Sequence, residues 1–256
     1  MFDRLRDQGF NIETRNHAEA ILSVDFPAET AELTAALADF RLSPAELIAS
    51  GGGEAPSTQR LRHRLSDAGW RKHNFHIQTT LDGLPLGAGS SHEIDHIRRS
   101  PRGVLALEIE WNNKDPFFDR DLENFQRLHA QSVISLGIIV TRGASLQQGL
   151  AATVEAFLRA HGLESEDALL PFGMKKRTDR QRETLARQRA RGEDFAAAFA
   201  ASFTADKFGQ ATTHWSKLAE RIARGVGSPC PLLLIGLPLG VLTEPPPAPE
   251  LPPQLL

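Results

Sequence analysis

The 256-residue chain contains one cysteine, Cys230, and no apolar run that approaches the roughly 20 residues needed to cross a bilayer. A lone thiol closes no internal disulfide and excludes a four-cysteine zinc site, so any metal must be held by carboxylates or histidines. Cys230 reads as a small buried apolar residue. The opening MFDRLRDQGF lacks the apolar stretch of a secretion signal, and the expectation is a soluble, cytoplasmic protein. Strong net charge is also missing. At −3 the whole chain gives no sign of a polyanionic partner, yet residues 175 to 191, KKRTDRQRETLARQRAR, carry eight Lys or Arg against two acids. An acidic body with one basic segment suits an enzyme that holds cations at one place and a polyanion at another; a solvated charged helix is the plainer account of the same run.

With 41% hydrophobic and 24% charged residues, the chain can bury one sizeable core. A single domain over 1–243 is expected. The first 50 residues read as short helices, among them SPAELIAS, where Ser43, Pro44 and Glu46 supply an N-cap, an N1 proline and a capping-box glutamate. GGGEAP then forms a loop: Gly51 to Gly53 could cradle a phosphate, but no P-loop lysine follows, and a hinge fits better. Across 51–162 a helix from Ser57 is followed by a hairpin of HEIDHI and VLALEIEW, a helix in DRDLENFQRLHAQ, a buried strand in VISLGIIVTRG and an amphipathic helix in SLQQGLAATVEAFLRAHG. An inserted basic region spans 163–225, and a last core strand lies within 229–240. The proline-rich EPPPAPELPPQLL, 244–256, is expected to be extended or disordered. This order of strands and helices implies an α/β fold, a mixed central sheet flanked by helices.

The stretch HEIDHIRRSPRGVLALEIEW, 92 to 111, fits two metal sites. A zinc-peptidase reading of HEIDH needs His92 and His96 one helical turn apart with Glu93 as general base. Pro101 and Gly103 leave too little helix, and Arg99 stands where the extended motif requires glycine. The other reading needs only strand geometry. Residues two apart on a strand share a face, so Glu108 and Glu110 lie together, with Leu107, Ile109 and Trp111 opposite. A hairpin symmetric about Ser100 and Pro101 sets Asp95 opposite Ala106, which makes it a diagonal neighbour of Glu108 on the same face. Three carboxylates on one face repel unless a cation sits among them. Mg²⁺ held by Asp95 and Glu108, with Glu110 taking a proton from water or binding a second ion, is the apparatus for hydrolysing a phosphodiester. Lys114 is a weaker candidate for Glu110's position.

With D(x12)ExE in place, the chain resembles the type II restriction endonucleases of the BglII/BamHI group, in the PD-(D/E)XK nuclease superfamily. The resemblance runs through NHAEAIL, EIDHI, ALEIEWNN, GIIVTRG and PLLLIGL in that order. It implies a restriction-endonuclease-like core with Asp95 as bridging metal ligand, Glu108 as second ligand and Glu110 as third catalytic position, a Glu as in BamHI where BglII has Gln. It also implies one or two Mg²⁺ per site, double-stranded DNA as substrate, a homodimer, and a cognate methyltransferase that makes no contact. Asn113 falls where the family contacts a base, and Asn112, Lys114 and Arg142 are further candidates for DNA contact. The family's additional active-site residue, on the preceding helix, has Glu54, His73 and Asn74 as candidates. The segment between GIIVTRG and PLLLIGL is long for the family and is expected to read the target. Lys175, Lys176, Arg177, Lys207, Thr212, Thr213, His214 and Lys217 supply its donors and methyl groups; Trp215 reads as core. A nuclease of the same fold without sequence specificity, and a DNA-binding protein without catalysis, are the alternatives.

Overall fold

The computed structural model describes residues 1–49 and 55–243. The glycine loop with Glu54 and the proline-rich tail therefore lie outside the described residues. In chain order the strands are β1 (Asn11–Arg15), β2 (Arg71–Ile77), β3 (Thr80–Leu81), β4 (Leu84–Pro85), β5 (Ser90–Ser100), β6 (Gly103–Glu110), β7 (Leu136–Arg142) and β8 (Leu232–Leu237). The helices are α1 (Asp3–Asp7), α2 (Ala18–Val24), α3 (Pro27–Ala38), α4 (Pro44–Ile48), α5 (Pro56–Asp67), α6 (Phe117–Ala130), α7 (Ala144–Ala160), α8 (Asp179–Arg189), α9 (Phe195–Lys207) and α10 (Trp215–Ala223).

Six strands form one mixed sheet in the order β1-β8-β7-β6-β5-β2, and β3 with β4 makes a separate ribbon. The three central strands β6, β7 and β8 are parallel, and antiparallel strands close both sides. Alternation divides each central strand between two cores. Leu105, Leu107 and Ile109 of β6, with Ile138 and Val140 of β7 and Leu233 and Ile235 of β8, face the larger core beneath α3, α5, α7 and α9. Ala106, Ile139, Leu232 and Leu234 face a smaller core with Phe118, Leu122, Phe125 and Leu128 of α6. The sheet is thus covered on both faces, the mixed α/β architecture that the order of motifs predicts.

Several expectations need correction. NIETR, within the region read as helical, is the edge strand β1, paired with β8 from Asn11 opposite Gly236 to Arg15 opposite Leu232. RKHNFHI is the opposite edge, β2, so His73 and Asn74 lie on a strand rather than on a helix. In the inserted region, α9 packs on α7 and contributes Phe199 and Phe203, stacked at 5.3 Å between ring centroids, to the larger core. Part of the insertion is therefore core, not an attachment to it. The capping box at Ser43 and Glu46 forms as read.

The hairpin turns one residue later than its assumed centre. Ser100 pairs with Gly103 around Pro101 and Arg102, because Gly103, at φ +148°, can close the loop in a conformation that L side chains rarely adopt. His96 then pairs with Leu107, and the same register carried one residue further sets Asp95 directly opposite Glu108. The parity expected for Asp95 holds; its partner differs.

The layer of α6 on the sheet depends on Gly137, where a Cβ would fall onto the ring of Phe125. Gly137→Ala should therefore destabilise the protein by roughly 1 to 3 kcal/mol through overpacking. Chemical denaturation would show this as a lower midpoint; an unchanged midpoint would mean that the ring has room to move.

Candidate active site

Residues 92 to 97 are strand, which excludes the helical zinc site: four residues span about 13 Å along a strand against about 6 Å along a helix. His96 is buried, and desolvation pushes its pKa down to about 4. It is a neutral interior imidazole.

At Asp95 the sheet is irregular. Arg71 pairs with Ile97 and His73 with Ile94, so Asp95 and His96 of β5 together oppose the single residue Lys72 of β2. Two residues against one make a β-bulge, which breaks alternation and re-aims the side chains it contains. Ile94 and Ile97 consequently reach the same core although three residues apart. Asp95 is left exposed beside the end of β6.

Glu108 and Glu110 continue the face that Ala106 begins, and both are buried, at 3% and 2% exposure. Opposite them α6 presents Asp121, fully buried. The carboxyl groups meet in two pairs, Asp95 with Glu108 and Glu110 with Asp121. The Asp95 backbone N–H donates to Glu108 Oε2 at 3.3 Å. Around Glu110, Asn113 Nδ2 donates to Oε2 at 2.7 Å and Arg120 Nη2 to Oε1 at 3.4 Å, while Arg120 Nε also donates to Asp121 Oδ1 at 2.7 Å. Asp121 Oδ2 is buried with no hydrogen-bond partner.

Burial first, then the negative charges of Asp95 and Asp121, drives the Glu108 carboxyl well above the usual carboxylate range. Burial and then Asp121 push Glu110 up to about 9, against the partial relief from Asn113 and Arg120. Asp121 is raised mainly by burial. Among the described residues no three His, Cys, Asp or Glu side chains converge into a ready metal cage, since the carboxyls pair off instead. The donor set nevertheless fits a hard divalent ion: oxygen only, acidic, and in excess of the positive charge around it.

The loop after β6 is clamped by the inserted region. Asn113 N–H donates to Thr213 Oγ1 at 3.1 Å, Thr213 N–H donates to Asn113 O at 2.9 Å, and Lys114 bridges Thr212. Arg142 donates from Nη2 to Thr213 O at 2.7 Å and to Thr212 Oγ1 at 2.6 Å, with its guanidinium over Phe208. This arrangement corrects part of the expected DNA contact set. Arg142, Arg177, Thr213 and His214 are buried. Arg142 and Thr213 serve the clamp, and Arg177 reaches Glu166 and Ser202 over Phe199. His214 hydrogen-bonds Ser216. Lys207 donates to the carbonyls of Leu47 and Ala49, and Lys217 to Glu220. Asn113, Lys114, Lys175 and Lys176 are exposed; Asn112 and Thr212 are half-buried. Trp215 packs against the smaller core, as read.

Sequence reading missed Asp121. The signal was present: Asp121 occupies the stripe of Phe118, Leu122, Phe125 and Leu128, where an apolar residue belongs.

A mixed sheet with helices on both faces and an acidic cluster at the carboxyl end of its central strand belongs to the restriction-endonuclease-like class. More specifically, the chain belongs to the restriction endonuclease BglII/BglIII family, which matches residues 10–237. Membership makes it a nuclease and a hydrolase. No curated protein matches the chain. No helix among the described residues is long and apolar enough to cross a membrane.

The raised Glu110 pKa gives stability a pH dependence. The folded state holds this proton up to about 9 while the unfolded chain releases it near 4.5, so the contribution is complete below 4.5 and is lost as pH rises toward 9. In metal-free protein, Glu110→Gln should flatten the fall in melting temperature across that window. Parallel curves for the two proteins would show that Glu110 is not held protonated.

Proposed function

We propose that the protein is a homodimeric, Mg²⁺-dependent type II restriction endonuclease that hydrolyses double-stranded DNA at a short palindromic site and leaves 5′-phosphate ends. The observation that carries this reading is the buried acid cluster Glu108, Glu110 and Asp121 beside Asp95, in a chain of the BglII/BglIII family. Asp95 and Glu108 are the residues that would hold the ion. A divalent ion held by these two carboxylates would supply positive charge to offset the negative charge of the phosphodiester and to acidify water. Glu110, protonated in the ion-free site, would be drawn to its carboxylate form by a divalent charge beside it and would then take the proton of the attacking water, with Asn113 and Arg120 fixing it by the hydrogen bonds described above. Arg120, shared between Glu110 and Asp121, balances part of the local negative charge. Cleavage at the 3′ oxygen leaves the phosphate on the 5′ end.

The exposed bases Lys175, Lys176, Arg180 and Arg182 suit phosphate contacts, and binding through them weakens steeply with salt. Two active sites related by a two-fold axis match a palindrome, one for each strand. The enzyme works in the cytoplasm beside a cognate methyltransferase that protects the same sequence without touching it.

Incubation of plasmid DNA with protein and Mg²⁺ should give discrete fragments, and sequencing of their ends reports site and stagger; a smear would indicate a nuclease without sequence preference. Asp95→Asn and Glu108→Gln should each lower cleavage by more than about 1,000-fold, the equivalent of several kcal/mol of lost charge stabilisation, while DNA affinity stays close to wild type. Normal cutting by either variant would remove that residue from the site.

A further inference from the structure

The acid cluster leaves one electrostatic problem unsolved by its own strands. A phosphodiester is an anion, and it must come to rest against Asp95, the most exposed of the four carboxylates. The strand that carries Glu108 and Glu110 supplies no cation, and Arg120 is already engaged by Asp121 and Glu110. A cleft lined by Asp95 and Asn113 has Arg62, Arg71, Lys72 and Lys207 in its wall, and Arg62 is already engaged by its surroundings. Arg71 is held by Ser66 and the Trp70 carbonyl, and Lys207 by the Leu47 and Ala49 carbonyls. Lys72 differs. It stands opposite the bulge that contains Asp95, its ammonium is exposed, and its ion pair, with Glu93 at 2.7 Å, joins two side chains more than half exposed. Pairs of this kind are worth little and exchange readily. Besides Glu93, the charges of Asp95 and Glu108 also stabilise the Lys72 ammonium, which places it within the field of the cluster.

We propose that Lys72 is the phosphate-contacting cation of the active site: on substrate binding its ammonium leaves Glu93 and meets a non-bridging oxygen of the scissile phosphate, where negative charge grows in the transition state. The bulge has a purpose in this account, since two residues of β5 against one of β2 bring Asp95 and Lys72 to the same mouth. A rigid pair would instead only tie the edge strand β2 to β5.

This inference rests on the nuclease reading, and single-turnover cleavage of duplex DNA at saturating Mg²⁺ separates the two. Lys72→Met should cut about 100-fold more slowly, the usual loss when one donor to a developing oxyanion is removed. Its affinity for DNA, measured with Ca²⁺ in place of Mg²⁺, should stay within about threefold, as expected for the loss of a single phosphate contact. Lys72→Arg should recover most of the rate, and Glu93→Gln should cut like wild type. Wild-type rates in Lys72→Met, or an equal loss in Glu93→Gln, would overturn the proposal while leaving the nuclease intact. So would weaker binding at an unchanged saturated rate. Failure of the wild-type protein to cut DNA with any divalent ion would overturn both.

Discussion

Repulsion between carboxylates, three of them buried, is the constraint around which this molecule is arranged. Glu108, Glu110 and Asp121 are all essentially inaccessible, and among the described residues Arg120 is the cation that pairs directly with Glu110 and Asp121. Such a group could be replaced by apolar side chains of similar size at no cost to stability, and in many folds to its benefit. Its presence in an interior otherwise built from leucine, isoleucine and phenylalanine is a cost that packing alone does not explain, and it is the reason the end of β6 is the candidate site. The neighbouring features follow from the same tension. The Asp95 backbone N–H turns to Glu108, Asn113 turns to Glu110, and the first turns of α6 deliver both an acid and the base that offsets it.

The central strands and the helices that cover them were legible because burial writes itself into hydropathy. GIIVTRG and PLLLIGL lie inside the sheet with neighbours on both sides, and their continuous apolar runs could be read directly. The edges were not legible, for the converse reason. In β2 Phe75 is the one buried residue and in β1 no residue is buried, so neither strand has an apolar face for alternation to reveal. The hairpin illustrates a finer limit. Parity along β6 placed Glu108 and Glu110 on one face, but the register between β5 and β6 depended on which pair closed the loop, and Gly103 moved that closure by one residue.

The site divides along similar lines. Asp95, Glu108 and Glu110 stand on adjoining strands, where spacing alone brings acids together. Asp121 comes from a helix, and its approach to Glu110 is a property of how α6 lies on the sheet. Arg142, Arg177 and Thr213 show the opposite error: residue types common in DNA contacts are equally suited to bridging loops, and only burial distinguishes the two uses.

The paired hydrogen bonds between Thr213 and Asn113 make the inserted region a structural component of the loop that follows β6. Grafting another relative's 163–225 segment onto this scaffold would transplant the brace behind Asn113 as well as any base-reading surface. Any exchange of that segment therefore reaches the strand end that carries Glu110, and the two-residue seam at 113 and 213 is the part of it that holds the loop in place.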